Sequence, residues 1–87
     1  MAIFQKFMNE QEIKIGKIYK HFKNGKLYKV INIARHSETM EDMVIYEPQY
    51  ESESKLWVRP LKMFAEKVEW PKDSGKKVFR FTLETRK

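Results

Sequence analysis

The sequence of 87 residues contains no cysteine and only three glycines and three prolines. Without cysteine, the chain can form neither a disulfide nor a thiolate metal site. Three glycines cannot build a glycine-rich phosphate loop or a dinucleotide-binding turn. No apolar run is long enough to span a membrane, and no basic leader precedes an apolar stretch. These absences predict a cytoplasmic protein without a membrane partner or a bound cofactor.

Charged residues are abundant, at 34% of the chain with a net charge of +6, and they are unevenly distributed. Residues 13–35 contain six lysines and one arginine but no acid. Residues 38–53 contain six acids but no lysine or arginine. The basic segment favours an anionic partner, with nucleic acid or an anionic small molecule as candidates. The alternative is a solvated surface whose lysines guard strand edges.

Short segments of alternating polar and apolar residues predict strands throughout the chain. Asn24-Gly25 separates two of them and predicts a β-hairpin, while the apolar spacing in residues 61–64 predicts one helical turn. The predicted strands are residues 17–22, 26–35, 43–47, 55–59, 67–70 and 78–83. Five or six short strands with one helical turn indicate an all-β fold, an SH3-like barrel, with an OB-type barrel as the alternative.

The predicted domain organisation is simple. Residues 1–12 form an N-terminal helical extension, because Ile3, Phe4, Phe7 and Met8 lie at helical spacing. Residues 13–87 form a single SH3-like barrel domain, as expected for a chain of this length.

Alternation also assigns the faces of the strands. It places Tyr46 and Trp57 on the exposed side, opposite the apolar residues of their own strands. The side chains assigned to the core are Phe22, Leu56, Val58, Met63 and Phe64.

Three ordered motifs carry a resemblance to a known family. They are residues 16–23 (Gly-Lys-Ile-Tyr-Lys-His-Phe-Lys), 34–39 (Ala-Arg-His-Ser-Glu-Thr) and 57–61 (Trp-Val-Arg-Pro-Leu). Over residues 14–83 the chain resembles the small bacterial family called domain of unknown function 1653. The lysine-rich first strand, the N-terminal extension and the 72–77 loop depart from it. The resemblance implies a compact all-β domain and no particular activity.

Polar and aromatic residues concentrate between residues 34 and 61, and they predict a binding surface. Arginine guanidinium groups suit phosphates and carboxylates, and flat rings stack on bases. The predicted binding residues are Arg35, His36, Glu38, Tyr46, Trp57 and Arg59. We expect them to form one concave surface, so that the protein is a small binding module for an anionic or nucleotide-like ligand or for nucleic acid.

Two other functions fit the same residues. In a small enzyme, His36 would act as general acid or base and Glu38 would orient it. In a structural adaptor without ligand, the polar side chains of residues 36–39 would only order their loop, and each arginine would pair with a local acid. No residue is assigned as catalytic. The spacing of the two histidines matches no compact metal motif, so no metal site is assigned.

Overall fold

The computed structural model describes residues 11–85, which form seven β-strands and one short helix. The elements are β1 (Ile18–His21), β2 (Leu27–Arg35), β3 (Asp42–Pro48), β4 (Trp57–Pro60), α1 (Leu61–Ala65), β5 (Lys67–Glu69), β6 (Lys77–Phe79) and β7 (Phe81–Leu83). The predicted all-β character and the helical turn after Pro60 are confirmed. The predicted N-terminal helix lies outside the described residues. No helix within residues 11–85 has the length and apolar character needed to cross a membrane.

The strands form two antiparallel sheets. Five strands pair in the order β4-β3-β2-β1-β7, and β5 pairs with β6 separately. Within residues 11–85 the edge strands β4 and β7 do not pair with each other, so the sheet does not close and the predicted SH3-like barrel is not confirmed. Pro60 ends β4 after four residues, since proline has no N–H to extend a ladder.

The core is aromatic. Tyr19, Phe64 and Phe81 are almost completely buried. The rings of Phe64 and Phe81 stack with centres 3.9 Å apart, and Tyr19 meets Phe64 edge-on at 5.7 Å. The buried Tyr19 hydroxyl accepts a 2.8 Å hydrogen bond from the Lys14 N–H. Because large rings bury much area for each residue, this small domain obtains a core from few side chains.

The structure corrects part of the predicted faces of β3 and β4: Trp57 is exposed as predicted, but Tyr46, predicted to be exposed, is buried, and Val58, predicted in the core, is exposed. Tyr46 lies directly opposite Trp57, and Val44 lies opposite Arg59, and opposed residues share one face of the sheet. Val44 and Tyr46 are buried, so the core side of β4 carries Trp57 and Arg59. The remaining side chain, Val58, is 58% exposed.

The observed burial contradicts most of the predicted core assignments. Phe64 is buried as predicted. Leu56 and Met63 are 55% and 39% exposed, and Phe22 is only half-buried. Leu56 precedes β4 and shares the outward position of Val58, while Met63 occupies the outer side of α1.

A β-bulge in β2 inserts one extra residue and so shifts the alternation of inward and outward side chains along the strand. Val30 pairs with Tyr46, whereas Asn32 pairs with Ile45, which leaves Ile31 as an extra residue. The bulge brings Ile33 to the core side, where it packs against the buried cluster, while Ile31 is exposed. Simple alternation predicts that Ile31 and Ile33 share a face, and the bulge is the reason they do not.

The hairpins at residues 21–26 and 36–41 repeat one geometry, and we call them the histidine turns. In each, the N–H of the first residue donates to the carbonyl of the sixth, at 3.0 Å in one turn and 2.7 Å in the other. The N–H of the fifth residue donates back to the first carbonyl, at 3.0 and 2.8 Å. The first residue is His21 or His36, and its Nδ1 accepts the N–H two residues later at 3.1 Å.

The fifth position of each histidine turn has a left-handed backbone. Gly25 has φ of +69° and Met40 has φ of +65°. Glycine adopts this conformation without strain, whereas a residue with a Cβ is disfavoured there by about 1–2 kcal/mol. The same turn is therefore built once with the favoured residue and once with a strained one.

This difference predicts opposite effects of two substitutions. Met40→Gly should raise the free energy of unfolding by about 1 kcal/mol, and Gly25→Ala should lower it by a similar amount. A Cβ on Gly25 would meet no atom within 4 Å, so the second effect comes from the backbone alone. Thermal melts followed by circular dichroism would shift by about 4–8 °C in opposite directions. A lower melting temperature in Met40→Gly would contradict the strain.

Candidate functional site

Three of the predicted binding residues come together on β3 and β4. The Nε of Arg59 donates to the Tyr46 hydroxyl at 3.3 Å. Trp57 lies directly opposite Tyr46 and two residues before Arg59, on the same face of β4. Tyr46 is buried, but Trp57 is 43% exposed. The exposed indole and the guanidinium are thus neighbours at the free edge of the sheet.

The guanidinium of Arg59 lies over an aromatic ring. Its carbon is 5.7 Å from the centre of the Phe81 ring, and Phe81 in turn stacks on Phe64. No carboxylate of residues 11–85 pairs with it, whereas Arg80 pairs with Glu66 at 2.8 Å. The two terminal amino groups of Arg59 remain as donors in a half-buried position, which suits an anion.

The other three predicted residues lie elsewhere, around the second histidine turn. Arg35 is opposite Asp42 at the start of β3, and their side chains form an exposed ion pair at 3.4 Å. Asp42 is four residues from Tyr46 on the same strand, which corresponds to about 13 Å. The structure therefore divides the six residues into two groups. The turn group is Arg35, His36 and Glu38, and the sheet group is Tyr46, Trp57 and Arg59.

His36 orders its turn through the backbone. Its Nδ1 accepts the N–H groups of Glu38 and Thr39 at 3.1 and 3.3 Å. Glu38 meets His36 through its N–H and not through its carboxylate, so it does not orient the imidazole as the enzyme hypothesis requires. The Thr39 hydroxyl accepts the Glu41 N–H at 3.2 Å. Arg35 likewise pairs with a local acid, which matches the alternative of a loop-ordering network.

His21 belongs with the sheet group, although the sequence did not point to it. Its ring lies 4.9 Å from that of Phe81. Burial lowers the pKa of His21, and the nearby cations Arg59, Arg80 and Lys23 lower it further. Since Nδ1 accepts a backbone N–H, the neutral imidazole carries its proton on Nε2 and can donate it.

A single sequence contains little signal for this arrangement. His21 stands directly before the predicted Asn24-Gly25 hairpin, which places it at a strand end. Its contact with Phe81, however, depends on the pairing of β1 with β7 across 60 positions of the chain. Long-range pairing of this kind is not visible in local alternation.

Two tyrosines form the opposite border of the sheet group. The hydroxyls of Tyr28 and Tyr50 share a hydrogen bond of 2.7 Å, and Lys26 Nζ lies 4.4 Å from the centre of the Tyr50 ring. The hydrogen bond with Tyr28, followed by burial, raises the pKa of Tyr50 to about 12. The Tyr50 hydroxyl therefore stays protonated, and this border contributes aromatic rings and hydroxyl groups for hydrogen bonding.

Beyond Tyr50 the surface becomes acidic. An open depression of ≈ 220 Å³ is lined by Glu47, Pro48, Tyr50, Glu51, Ser52, Ser54 and Lys55. Two carboxylates against one lysine disfavour an anion there. Within the described residues no cluster of three or more histidines and acids could hold a metal ion. Arg59 and His21 therefore mark the side of the molecule that suits an anion.

Comparison with known proteins agrees with the resemblance carried by the motifs. The model of the family described as "Protein of unknown function (DUF1653)" matches residues 17–83. The crystal structure of a DUF1653 protein from Bordetella bronchiseptica is similar, with a TM-score of 0.67 and 28% identity over 82% of this chain and 86% of that one. No curated protein matches the chain. From the extent of the family match, we conclude that this chain belongs to the DUF1653 family.

Proposed function

We propose that this protein is a small binding module that recognises an anionic or nucleotide-like ligand, including nucleic acid. The observation that carries the proposal is Arg59, a half-buried arginine without a carboxylate partner among residues 11–85. Its Nε and ring contacts fix the guanidinium, and no acceptor among residues 11–85 bonds to its terminal amino groups. A fixed guanidinium is suited to bidentate recognition of phosphate or carboxylate.

The neighbours of Arg59 supply the rest of such a site. Trp57 lies about 6.6 Å along the strand, a spacing that lets a base stack on the indole while its phosphate meets the guanidinium. The Nε2–H of His21 is a further donor for the anion. The sequence also predicts Arg35, His36 and Glu38 as binding residues, but they lie around the second histidine turn and form no part of the site proposed here.

The test compares two arginines that differ in their partners. Nucleoside monophosphates would be titrated at low salt against Arg59→Gln and Arg35→Gln, with tryptophan fluorescence as the readout. Both variants lose one positive charge, but Arg35 pairs with Asp42, whereas Arg59 pairs with no acid of the described part of the chain. Arg59→Gln should weaken binding by about 10- to 150-fold, as expected for a lost hydrogen bond to a charged group. Arg35→Gln should change it by less than about threefold, because an exposed ion pair contributes little.

The same titrations distinguish the other functions. Equal losses in the two variants would show that only net charge matters and would contradict a built site at Arg59. Absence of binding to any anion at low salt would favour the structural adaptor. Turnover of a bound ligand that disappears in His36→Ala, with the melting curve unchanged, would favour the enzyme.

A further inference from the structure

We propose that the ligand of the Arg59 site is a single-stranded nucleic acid, lying along a surface that runs from Trp57 to Trp70. This inference rests on the proposed function and specifies its ligand class. We call this surface the tryptophan track, and its members are Trp57, Arg59, His21, Phe22 and Trp70.

The members of the track are continuous. Phe81 forms its buried floor, with the Arg59 guanidinium 5.7 Å and the His21 ring 4.9 Å from its centre. The His21 ring lies 4.9 Å from that of Phe22, and Phe22 meets Trp70 edge-on at 5.3 Å. The pairing of β1 with β7 and the contact of Phe22 with Trp70, directly after β5, thus join residues from distant parts of the chain.

Both ends of the track offer a stacking surface. Trp57 is 43% exposed and Trp70 is 40% exposed. An exposed indole offers a flat face on which a base can stack, and two such indoles border one surface here. No ring contact joins Trp57 to Trp70, so they would hold different bases. This spacing favours an oligomer over a mononucleotide.

Cations border the track over most of its length. Arg59, Arg80 and Lys23 all act electrostatically on His21, and of these three only Arg80 pairs with an acid of residues 11–85, Glu66. At the far end, the backbone N–H of Trp70 donates to the Lys76 carbonyl at 2.9 Å, so Lys76 lies opposite Trp70 at the end of the β5–β6 hairpin. A positive groove with exposed rings is the arrangement used for single strands without sequence preference.

A single strand fits this surface better than a duplex. Stacking on an indole requires a free base face, and in a duplex those faces are covered by neighbouring base pairs. The helix α1 has only five residues and is not a member of the track, so the track presents no recognition helix to a major groove. Duplex DNA is therefore the negative comparison in the test.

The experiment measures fluorescence anisotropy with labelled oligothymidylates of about 4–12 nucleotides, the range of site sizes on small single-strand-binding domains. Trp70→Ala should weaken oligonucleotide binding by about 5- to 150-fold, the loss expected for one stacked base. Trp70→Phe should restore most of it. Leu56→Ala is the matched control, because Leu56 is 55% exposed but lies outside the track. Circular dichroism would verify that each variant is folded.

Two further measurements complete the test. A nucleoside monophosphate should lose much more affinity in Arg59→Gln than in Trp70→Ala, since one nucleotide would occupy the Arg59 end. The affinity for oligothymidylate should fall with salt, with a log–log slope of about -0.7 for each phosphate contacted on a single strand.

Several outcomes would overturn the track, and they differ in what they say about the proposed function. If oligonucleotides bind no more tightly than mononucleotides, or if Trp70→Ala has no effect while Arg59→Gln still does, the track fails and the anion site stands. If duplex DNA binds more tightly than the single strand, the track also fails. If neither mononucleotides nor oligonucleotides bind, both proposals fail together.

Discussion

Phe64→Ala should lower the free energy of unfolding by about 3–5 kcal/mol, the range for truncating a buried aromatic ring. Phe64 is fully buried, stacks on Phe81 at 3.9 Å and meets Tyr46 at 5.1 Å. Removing the ring leaves a cavity at the centre of the core, and its neighbours are themselves rigid rings that cannot collapse into it. Since small domains have a total stability of about 5–15 kcal/mol, this loss is a large fraction.

Met63 provides the matched control on the same helix. It is 39% exposed, and Met63→Ala should change the free energy of unfolding by no more than about 0.5 kcal/mol. Urea unfolding of both variants gives the comparison. Equal losses at the two positions would show that α1 packs through a different face from the one described.

The local pattern of the sequence predicted the elements well. Alternation and the Asn24-Gly25 turn located β1, β2 and β3, and the residues after Pro60 were correctly assigned to a helical turn. These features depend on neighbours in the chain, which is why the sequence reveals them. The first hairpin has a longer turn than an Asn-Gly pair alone suggests, because His21 closes it with Lys26.

The errors came from features that alternation does not contain. The bulge at Ile31 inserts one residue, and this reverses the face of every residue that follows on β2. On β4 the apolar Val58 is exposed, while Trp57 and Arg59 share the face of the buried Val44 and Tyr46. Alternation shows that two faces exist, but hydrophobicity identified the wrong one, because β4 is an edge strand whose core-side face carries an indole and a guanidinium.

In the candidate site, too, the sequence revealed features of neighbouring residues and missed contacts between distant segments. Trp57 and Arg59 stood out because an indole and a guanidinium share one face of a short strand. His21 and Phe22 did not, since their contacts with Phe81 and Trp70 connect distant segments. The Arg-His-Ser-Glu-Thr segment was predicted to contribute binding or catalytic residues. The structure instead explains His36 as the residue that orders a turn. The parallel turn at His21 supports that explanation, because it repeats the Nδ1 contact with a different loop sequence.

The same substitution at two valines separates the inner and outer faces of the sheet. Val30→Asp should reduce the free energy of unfolding by at least about 3–5 kcal/mol, because it places an unpaired carboxylate in the core. Val30 is fully buried on a central strand, opposite Tyr46. At this magnitude the variant is expected to be unfolded or aggregated at physiological temperature.

Val58→Asp should be tolerated, with a change of no more than about 1 kcal/mol, because Val58 is 58% exposed on an edge strand. The predicted core assignment requires the opposite result, since a carboxylate at a buried Val58 would be as disruptive as one at Val30. Circular dichroism and thermal melts of the two variants decide between these arrangements. A folded Val58→Asp protein that keeps its nucleotide affinity would show that Trp57 and Arg59 present the inner face of β4, as the binding proposal needs. If Val58→Asp is unfolded, Val58 faces the core. Arg59 would then lie on the outer face of β4, without its contacts to Tyr46 and Phe81.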